Sequence, residues 1–318
     1  MPTPTTIGVD VGGTKLLALA LDTTHDAVLG TARHPTPRGA EALLDGVAEI
    51  VAEITEQCTL GPDLRVGVGV AGLVDHRGVL RHGPNQHGVR ELDVLGGLID
   101  RLGRRVVVDN DGNCAVWAEW SSGAARGHDD VVLVTLGTGI GAGLMVGGQL
   151  VRGANGMAGE PGHTMVDPTG PPCPCGRRGC WERYASGAGL ARMARDAAEA
   201  GRLEDVLTAA GGDAAAISSE DVVTAGRKGD PEAAAIMARF AWWTAVGVAN
   251  LVAVLDPDVV VLGGGLSNLG SLYAGVPRQW GPFVFSDRVD TRLVPALHGD
   301  SSGVRGAAWL WGGPNGRA

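Results

Sequence analysis

Twice in this chain an apolar, β-branched run is broken by a short glycine turn and then resumes. The first case spans Thr5 to Leu21 and breaks at Asp10-Val11-Gly12-Gly13-Thr14-Lys15; the second joins Val131–Leu136 to Ala142–Val146 through Gly137-Thr138-Gly139-Ile140-Gly141. Each reads as a β-hairpin with a glycine turn. Ala27 to Arg33 can add a third strand to the first hairpin. Thr36-Pro37 then reads as an N-cap and first-turn proline for a helix in which Leu43, Val47, Ile50, Val51 and Ile54 recur at helical spacing. Strands at Arg65–Val70 and Arg105–Asp109 and a helix over Gly112–Ser121 complete that half. The second half continues with a long apolar helix, a strand at Val259–Leu262, a glycine turn at Gly263-Gly264-Gly265 and a final helix from about Ser302 to Trp311. Two βββαβα-like halves with the same opening predict a duplicated α/β fold with two lobes around a cleft.

Backbone N–H groups can cradle a phosphate only where side chains are absent and the chain turns sharply. Gly12 and Gly13 meet that condition, as do Gly137, Gly139 and Gly141. Thr14 and Thr138 add hydroxyl donors, and Asp10, at a strand end, is placed to hold Mg²⁺ through water. The competing reading is two ordinary tight hairpins in a chain with 52 glycines. Neither turn is a Walker A loop, and no dinucleotide fingerprint follows the first strand. Lys15 either touches a phosphate as a point charge or simply opens the second strand.

The most specific segment is Glu160-Pro161-Gly162-His163, followed by Cys173-Pro174-Cys175-Gly176-Arg177-Arg178-Gly179-Cys180-Trp181-Glu182. One histidine and three cysteines form a closed tetrahedral zinc set, which leaves no open position for catalysis, so the metal is expected to be structural. The thirteen residues from Asp167 to Gly179 contain no large apolar side chain. Ordering them costs roughly 1–2 kcal/mol each. A structural zinc contributes apparent energies of about 10–16 kcal/mol and offsets much of that. Without a metal, three free thiols would sit beside a histidine. Glu160 and Glu182 bracket the cluster, and paired carboxylates suit recognition of several sugar hydroxyls; each alone would be an ordinary surface group. Zinc on one nitrogen of His163 leaves the other to face the same cavity.

Val108-Asp109-Asn110-Asp111-Gly112-Asn113 lies between a strand and a helix. Asp111 there can take a proton from an attacking hydroxyl, a role typically worth about 10²–10⁴-fold in rate. It can equally be the N-cap of the following helix. Asp109 and Asn113 compete for either role.

A formal net charge of -9 disfavours a nucleic-acid or anionic-membrane surface. Met1 to Thr6 carries no secretory signal pattern. Ala233 to Leu255 is long and apolar enough for a membrane span, but its alanine content and the closing Asp256-Pro257 fit a core helix. Five cysteines with three in one tight cluster make a poor disulfide framework and point to a reducing cytoplasm.

Together, D-V-G-G-T-K, N-D-G-N, L-G-T-G-I-G, E-P-G-H, C-P-C-G-R-R-G-C-W-E and L-G-G-G-L resemble the ROK family of repressors and kinases, above all its bacterial glucokinases. The motifs run in the family's order from Asp10 to Leu266. The resemblance implies an actin-like ATPase (ribonuclease H-like) fold. It implies a small lobe over 1–112, with a C-terminal helix at about 300–318 packing back on it, and a large lobe over 113–299 carrying the zinc loop. ATP with Mg²⁺ and a hexose, most simply glucose, would meet in the cleft. Asp111 would be the general base. Asn85, Asn110, Glu160, His163 and Glu182 would bind sugar hydroxyls, and His163 would hold zinc with Cys173, Cys175 and Cys180. Asp10, Gly12, Gly13, Thr14, Lys15, Gly137, Thr138 and Gly139 would contact phosphates, with Gly264 and Gly265 near the adenosine. A homodimer or homotetramer is implied. Gly112 stands where alanine is common, a departure expected to be harmless, and Gln86-His87 replaces a common apolar pair beside the sugar ligand Asn85. N-acetylmannosamine, fructose or allose as acceptor, polyphosphate as donor, and a sugar-responsive repressor are the alternatives. The last would need a DNA-binding segment before the first strand, which here begins by about Ile7.

Overall fold

The structure is a computed structural model and describes residues 5–22, 27–83, 86, 89–285 and 288–311. Its first hairpin is β1 (Thr6–Val11) and β2 (Lys15–Leu21), with Asp10 opposite Leu17. Strand β3 (Val28–Pro35) pairs with β2. After helix α1 (Ala40–Gln57) the chain returns as β4 (Arg65–Val70), parallel to β1 with Asp10 beside Gly69. A small antiparallel sheet follows, made of β5 (Leu73–Val74), β6 (Val79–Gly83) and β7 (Val89–Asp93). Helix α2 (Val94–Leu102), strand β8 (Val106–Asn110) and helix α3 (Asp111–Ser122) come next. The first large sheet runs β3-β2-β1-β4-β8.

The pattern then repeats. Strands β9 (Val131–Leu136), β10 (Ile140–Val146) and the short β11 (Gln149–Leu150) open the second half. Helices α4 (Glu182–Ala185), α5 (Gly187–Glu199), α6 (Glu204–Ala209), α7 (Ser219–Arg227) and α8 (Pro231–Leu255) lead to β12 (Val259–Gly263). Helix α9 (Gly270–Gln279), strand β13 (Arg292–Pro295) and helix α10 (Ser302–Trp309) close the described chain. The second sheet runs β11-β10-β9-β12-β13. With the small sheet set aside, both sheets have their strands in the order third, second, first, fourth, fifth. The chain forms two compact units: residues 1–133, 142–159 and 296–318 make the first, and residues 134–141 and 160–295 make the second.

In the first unit both faces of the sheet are covered over β1, β2 and β4, which is why those strands are apolar nearly throughout, whereas the edge strand β3 is largely exposed. Ile7, Val9, Leu16 and Ala18 pack with Leu43, Val47, Ile50 and Ile54 of α1 on one face. Leu19 and Leu21 pack with Ala118 of α3 and Val304, Ala308 and Trp309 of α10 on the other. Fully burying a side chain such as Ile50 or Ile54 stabilises by roughly 1.5–3 kcal/mol. Helix α10 lies so close to the sheet that a Cβ at Gly8 would stand 2.0 Å from the Val304 carbonyl, and one at Gly67 would stand 1.9 Å from that of Ala307.

Thr36 does not cap α1. The helix begins at Ala40 behind Gly39, which offers no side-chain cap. Thr36 instead donates its hydroxyl to the Gly12 carbonyl at 2.7 Å, so a tertiary partner has displaced the local capping role. Helix α8 is capped by Asp230, carries Pro231 at its start, and stops at Asp256 in a left-handed conformation with φ 44°. It is long and apolar enough to cross a membrane, but half of its apolar stretch is buried, and it packs against α4, α5, α7 and α9.

Candidate active site and metal-binding loop

In the first unit, β1 delivers Asp10 to the edge of the Gly12-Gly13 turn. Among the bonds that brace that turn are Gly12 N–H to the Lys15 carbonyl (3.0 Å), the Thr36 hydroxyl to the Gly12 carbonyl (2.7 Å), and Gln86 Nε2 and Ala71 N–H to the Val11 carbonyl (3.0 and 3.1 Å). Burial, reinforced by the charge of Asp111, raises the Asp10 carboxyl to about 7, and Lys15 partly offsets this. Lys15 opens β2 near enough for its charge to be felt at Asp10. Thr14 is exposed at the turn, and its carbonyl accepts from Thr36 N–H at 3.1 Å.

At the junction of β8 and α3 the cap is Asn110, not Asp111: the Asn110 side chain accepts from Asn113 N–H at 3.1 Å. Asn110 Nδ2 donates to the Gly72 carbonyl and to Asp111 Oδ1, each at 3.0 Å. Asp109 is committed elsewhere. Its Oδ1 accepts from Asn110 N–H and Asn113 Nδ2, and its Oδ2 pairs with Arg152 through Nε at 2.8 Å and the terminal nitrogen at 2.7 Å. Asp111 Oδ1 accepts from Gly112 N–H and Asn110, while Oδ2 has no hydrogen bond among the described residues. Burial raises the Asp111 carboxyl above its ordinary value. A desolvated carboxylate with one oxygen fixed and one open is equipped to accept a proton. Glycine at 112 has a reason of its own in this fold: a Cβ there would lie 2.2 Å from the Ala142 carbonyl, because the first turn of α3 runs hard against β10.

In the second unit, each glycine of the turn after β9 has a different cause. A Cβ at Gly139 would stand 2.3 Å from Glu182 Oε2, and one at Gly141 would stand 2.8 Å from the Thr135 hydroxyl. At Gly137 the nearest atom is 4.0 Å away, so of the three only Gly137 is left open by the protein itself. The carbonyls of Gly137 and the exposed Thr138 accept from Gly187 and Ala188 N–H at 2.7 and 3.2 Å. Gly264, with φ 79°, lies against the Leu136 backbone at the end of β9, and Gly265 is exposed beside it.

Glu160 precedes a single 3-10 turn, Pro161–His163, in which Gly162 packs against the Ile140 carbonyl. His163 Nδ1 and the sulfurs of Cys173, Cys175 and Cys180 all lie within 4.8 Å of one another. Nδ1 is 3.8 Å from Cys173 Sγ, and the sulfurs of Cys175 and Cys180 are 3.6 Å apart. Zinc–sulfur bonds of about 2.3 Å in a tetrahedron require sulfur–sulfur edges of roughly 3.8 Å, so the donor set fits that ion in both chemistry and spacing. Burial and the neighbouring thiols push Cys180 up to about 12. Directly after Cys180, Trp181 is fully buried against Gly247 and donates its Nε1 to the Trp243 carbonyl at 2.7 Å, anchoring the loop to α8. Glu182 follows, and its Oε2 accepts from Ile140 N–H at 2.9 Å.

The structure therefore brings Asp10, Asn110 and Asp111 together in one unit. In the other it gathers the four candidate metal donors, with Glu182 and the Gly137–Gly141 turn beside one another. Asn85 and His87 lie outside the described residues. Sequence reasoning did not find Arg152 as the partner of Asp109, because the two are 43 positions apart with nothing local to link them. It noted Gln86 only as a replacement for an apolar residue, whereas Gln86 is buried and braces the first turn.

The ROK family model matches residues 6–313. Glucokinase of Streptomyces coelicolor is 36% identical, covering 96% of each chain, and glucokinase of Thermotoga maritima is 34% identical over 88% of this chain and 87% of its own. The crystal structure of a ROK family glucokinase from Streptomyces griseus in complex with glucose and AMPPNP is 36% identical. It superposes with a TM-score of 0.85, covering 96% of this chain and 98% of that one.

Proposed function

From the premise that this chain belongs to the ROK family, we propose that it is an ATP-dependent glucokinase acting on the 6-hydroxyl of glucose. It is a sugar kinase, a phosphotransferase with an alcohol group as acceptor. Two sheets of matching strand order support the actin-like, duplicated form of the fold.

The observation that carries the mechanism is Asp111, a buried carboxylate whose Oδ1 is fixed by Gly112 and Asn110 and whose Oδ2 is open. Asp111 takes the hydroxyl proton as that oxygen attacks the terminal phosphorus, and the bond to the ADP oxygen breaks in line. Asn110, Glu160, His163 and Glu182 bind and orient sugar hydroxyls, as does Asn85. The two glycine turns hold the phosphates through backbone N–H groups, with Thr14, Lys15 and Thr138 at their edges, and Gly264 and Gly265 border the adenosine. Asp10 would hold the water shell of a magnesium ion bound with ATP, and that ion would neutralise charge at the phosphates. Zinc on His163, Cys173, Cys175 and Cys180 serves to order the loop rather than to react. The enzyme works in the cytoplasm as a homodimer or homotetramer.

The test is ADP release from Mg²⁺-ATP with glucose, mannose, fructose, N-acetylmannosamine or no sugar. Strong release with glucose alone is expected. Release with a different sugar would keep the chemistry and move the specificity. No release with any sugar from zinc-loaded protein would overturn ATP as the donor and make polyphosphate the next one to try.

A further inference from the structure

Glu182 is the first residue of α4 and sits two positions after the metal donor Cys180. Its two carboxylate oxygens are not equivalent. Oε2 accepts from Ile140 N–H at 2.9 Å, and Oε1 has no hydrogen bond among the described residues. Ile140 is the residue at which the second glycine turn becomes strand β10. The missing side chain at Gly139 is explained by the same carboxylate, since a Cβ there would stand 2.3 Å from Oε2. On its other side the turn is bonded only through carbonyls: Gly187 and Ala188, at the start of α5, donate to Gly137 and Thr138. At the exit of the turn two side chains take up backbone N–H groups: Thr135 Oγ1 accepts from Gly141 at 3.1 Å, and the carboxylate of Glu182, beside the candidate metal donors, accepts from Ile140.

We infer that Glu182 is a positioning residue for the nucleotide-phosphate turn, so that one carboxylate couples sugar binding to nucleotide binding. The inference rests on the reading of Gly137–Gly141 as a phosphate turn and of Glu182 as a sugar ligand. A buried N–H left without its acceptor would turn elsewhere or take water, and the adjoining N–H groups of Thr138 and Gly139, which have no hydrogen bond among the described residues, would shift with it. A sugar hydroxyl that fixes Oε1 also fixes the acceptor of Ile140, so sugar binding orders the turn in advance. Linkage then requires the nucleotide to strengthen sugar binding by the same factor. Glutamine at position 182 would keep an acceptor oxygen for Ile140 while losing the charge that favours a hydroxyl donor.

The experiment is calorimetric titration of Mg²⁺-ADP, with and without saturating glucose, into wild type, Glu182→Ala, Glu182→Gln, Gly139→Ala and the Gly139→Ala/Glu182→Ala double variant. Zinc content of each protein checks that the loop is folded. In the absence of sugar, Glu182→Ala is expected to weaken Mg²⁺-ADP by about tenfold, the loss of one charge-assisted bond. Glu182→Gln should restore that binding to within about threefold while remaining poor at binding glucose. Gly139→Ala, which displaces the carboxylate and leaves the loop's own residues intact, should match Glu182→Ala, and the double variant should be no weaker than either alone. Glucose should tighten Mg²⁺-ADP in wild type and not in Gly139→Ala. Sugar-free nucleotide affinity unchanged in Glu182→Ala, with glucose affinity lowered, would overturn the inference and leave Glu182 as a sugar ligand only. A wild type that binds glucose but no Mg²⁺-ADP would overturn the phosphate reading of the turn and the inference with it.

Discussion

The two glycine turns open matching halves of the chain, yet they are held in place by different means. The first is braced by neutral groups from its own unit: the Thr36 hydroxyl, the Gln86 amide and its own backbone. The second shares such neutral braces, the Thr135 hydroxyl and its own backbone, and adds a carboxylate, Glu182, beside the candidate metal donors, together with the start of α5. Similar turns reached from similar strands thus depend on different chemistry. The first should tolerate metal loss and small polar substitutions, whereas the second should fail when the loop fails.

Zinc removal separates the two most sharply. Chelation should cost a large part of the roughly 10–16 kcal/mol that a structural site contributes. Amide exchange should then accelerate at Ile140 far more than at Gly12. Equal acceleration at both turns would show that the loop does not serve the second turn in particular.

Asp10→Asn probes the charge beside the first turn. The folded chain holds the Asp10 proton up to about 7, against an ordinary 3.8. The folded state therefore binds more protons than the unfolded one across that window, and wild-type stability falls as pH rises through it. With magnesium absent, the variant, with no proton to lose, should gain in melting temperature over wild type from pH 4 to about 7 and level off above that. Its turnover should fall by on the order of a hundredfold, as when an electrostatic group is removed from a reacting site. A melting-temperature difference flat across pH 4–8 would remove the burial argument.

Gly112→Ala would drive a methyl into the Ala142 carbonyl at 2.2 Å. Overpacking of that kind should cost about 1–3 kcal/mol in chemical denaturation and displace Asp111 with the helix start. Unchanged stability would mean that β10 gives way easily. The smallest effect belongs to Thr36→Val, which removes one hydroxyl bond to Gly12 and should cost about 0.5–1.5 kcal/mol, with nucleotide affinity lowered only slightly.

What the sequence revealed divides along the same physical line. The candidate metal donors were legible because Cys173, Cys175 and Cys180 are neighbours in the chain, and the strands because β-branched runs announce themselves locally. Thr36-Pro37 has every local mark of a helix start, yet the Gly12 carbonyl, 24 positions away, takes the hydroxyl. The three-way choice among Asp109, Asp111 and Asn113 could not be made from local order. In the fold Arg152 occupies Asp109 and Asn110 takes the cap, which leaves Asp111 with one oxygen that has no hydrogen bond among the described residues and favours it as the candidate base. Why position 112 has no room for a Cβ is not legible locally, because its neighbour Ala142 is distant in sequence and meets it only in the fold.

The central claim is that Asp111 is the base of a glucose-phosphorylating site, and its most direct test is single-turnover transfer from Mg²⁺-ATP to glucose by wild type and Asp111→Asn. The account predicts loss of the transfer step by about 10²–10⁴-fold in the variant, with glucose binding retained. Transfer at the wild-type rate by Asp111→Asn would contradict it.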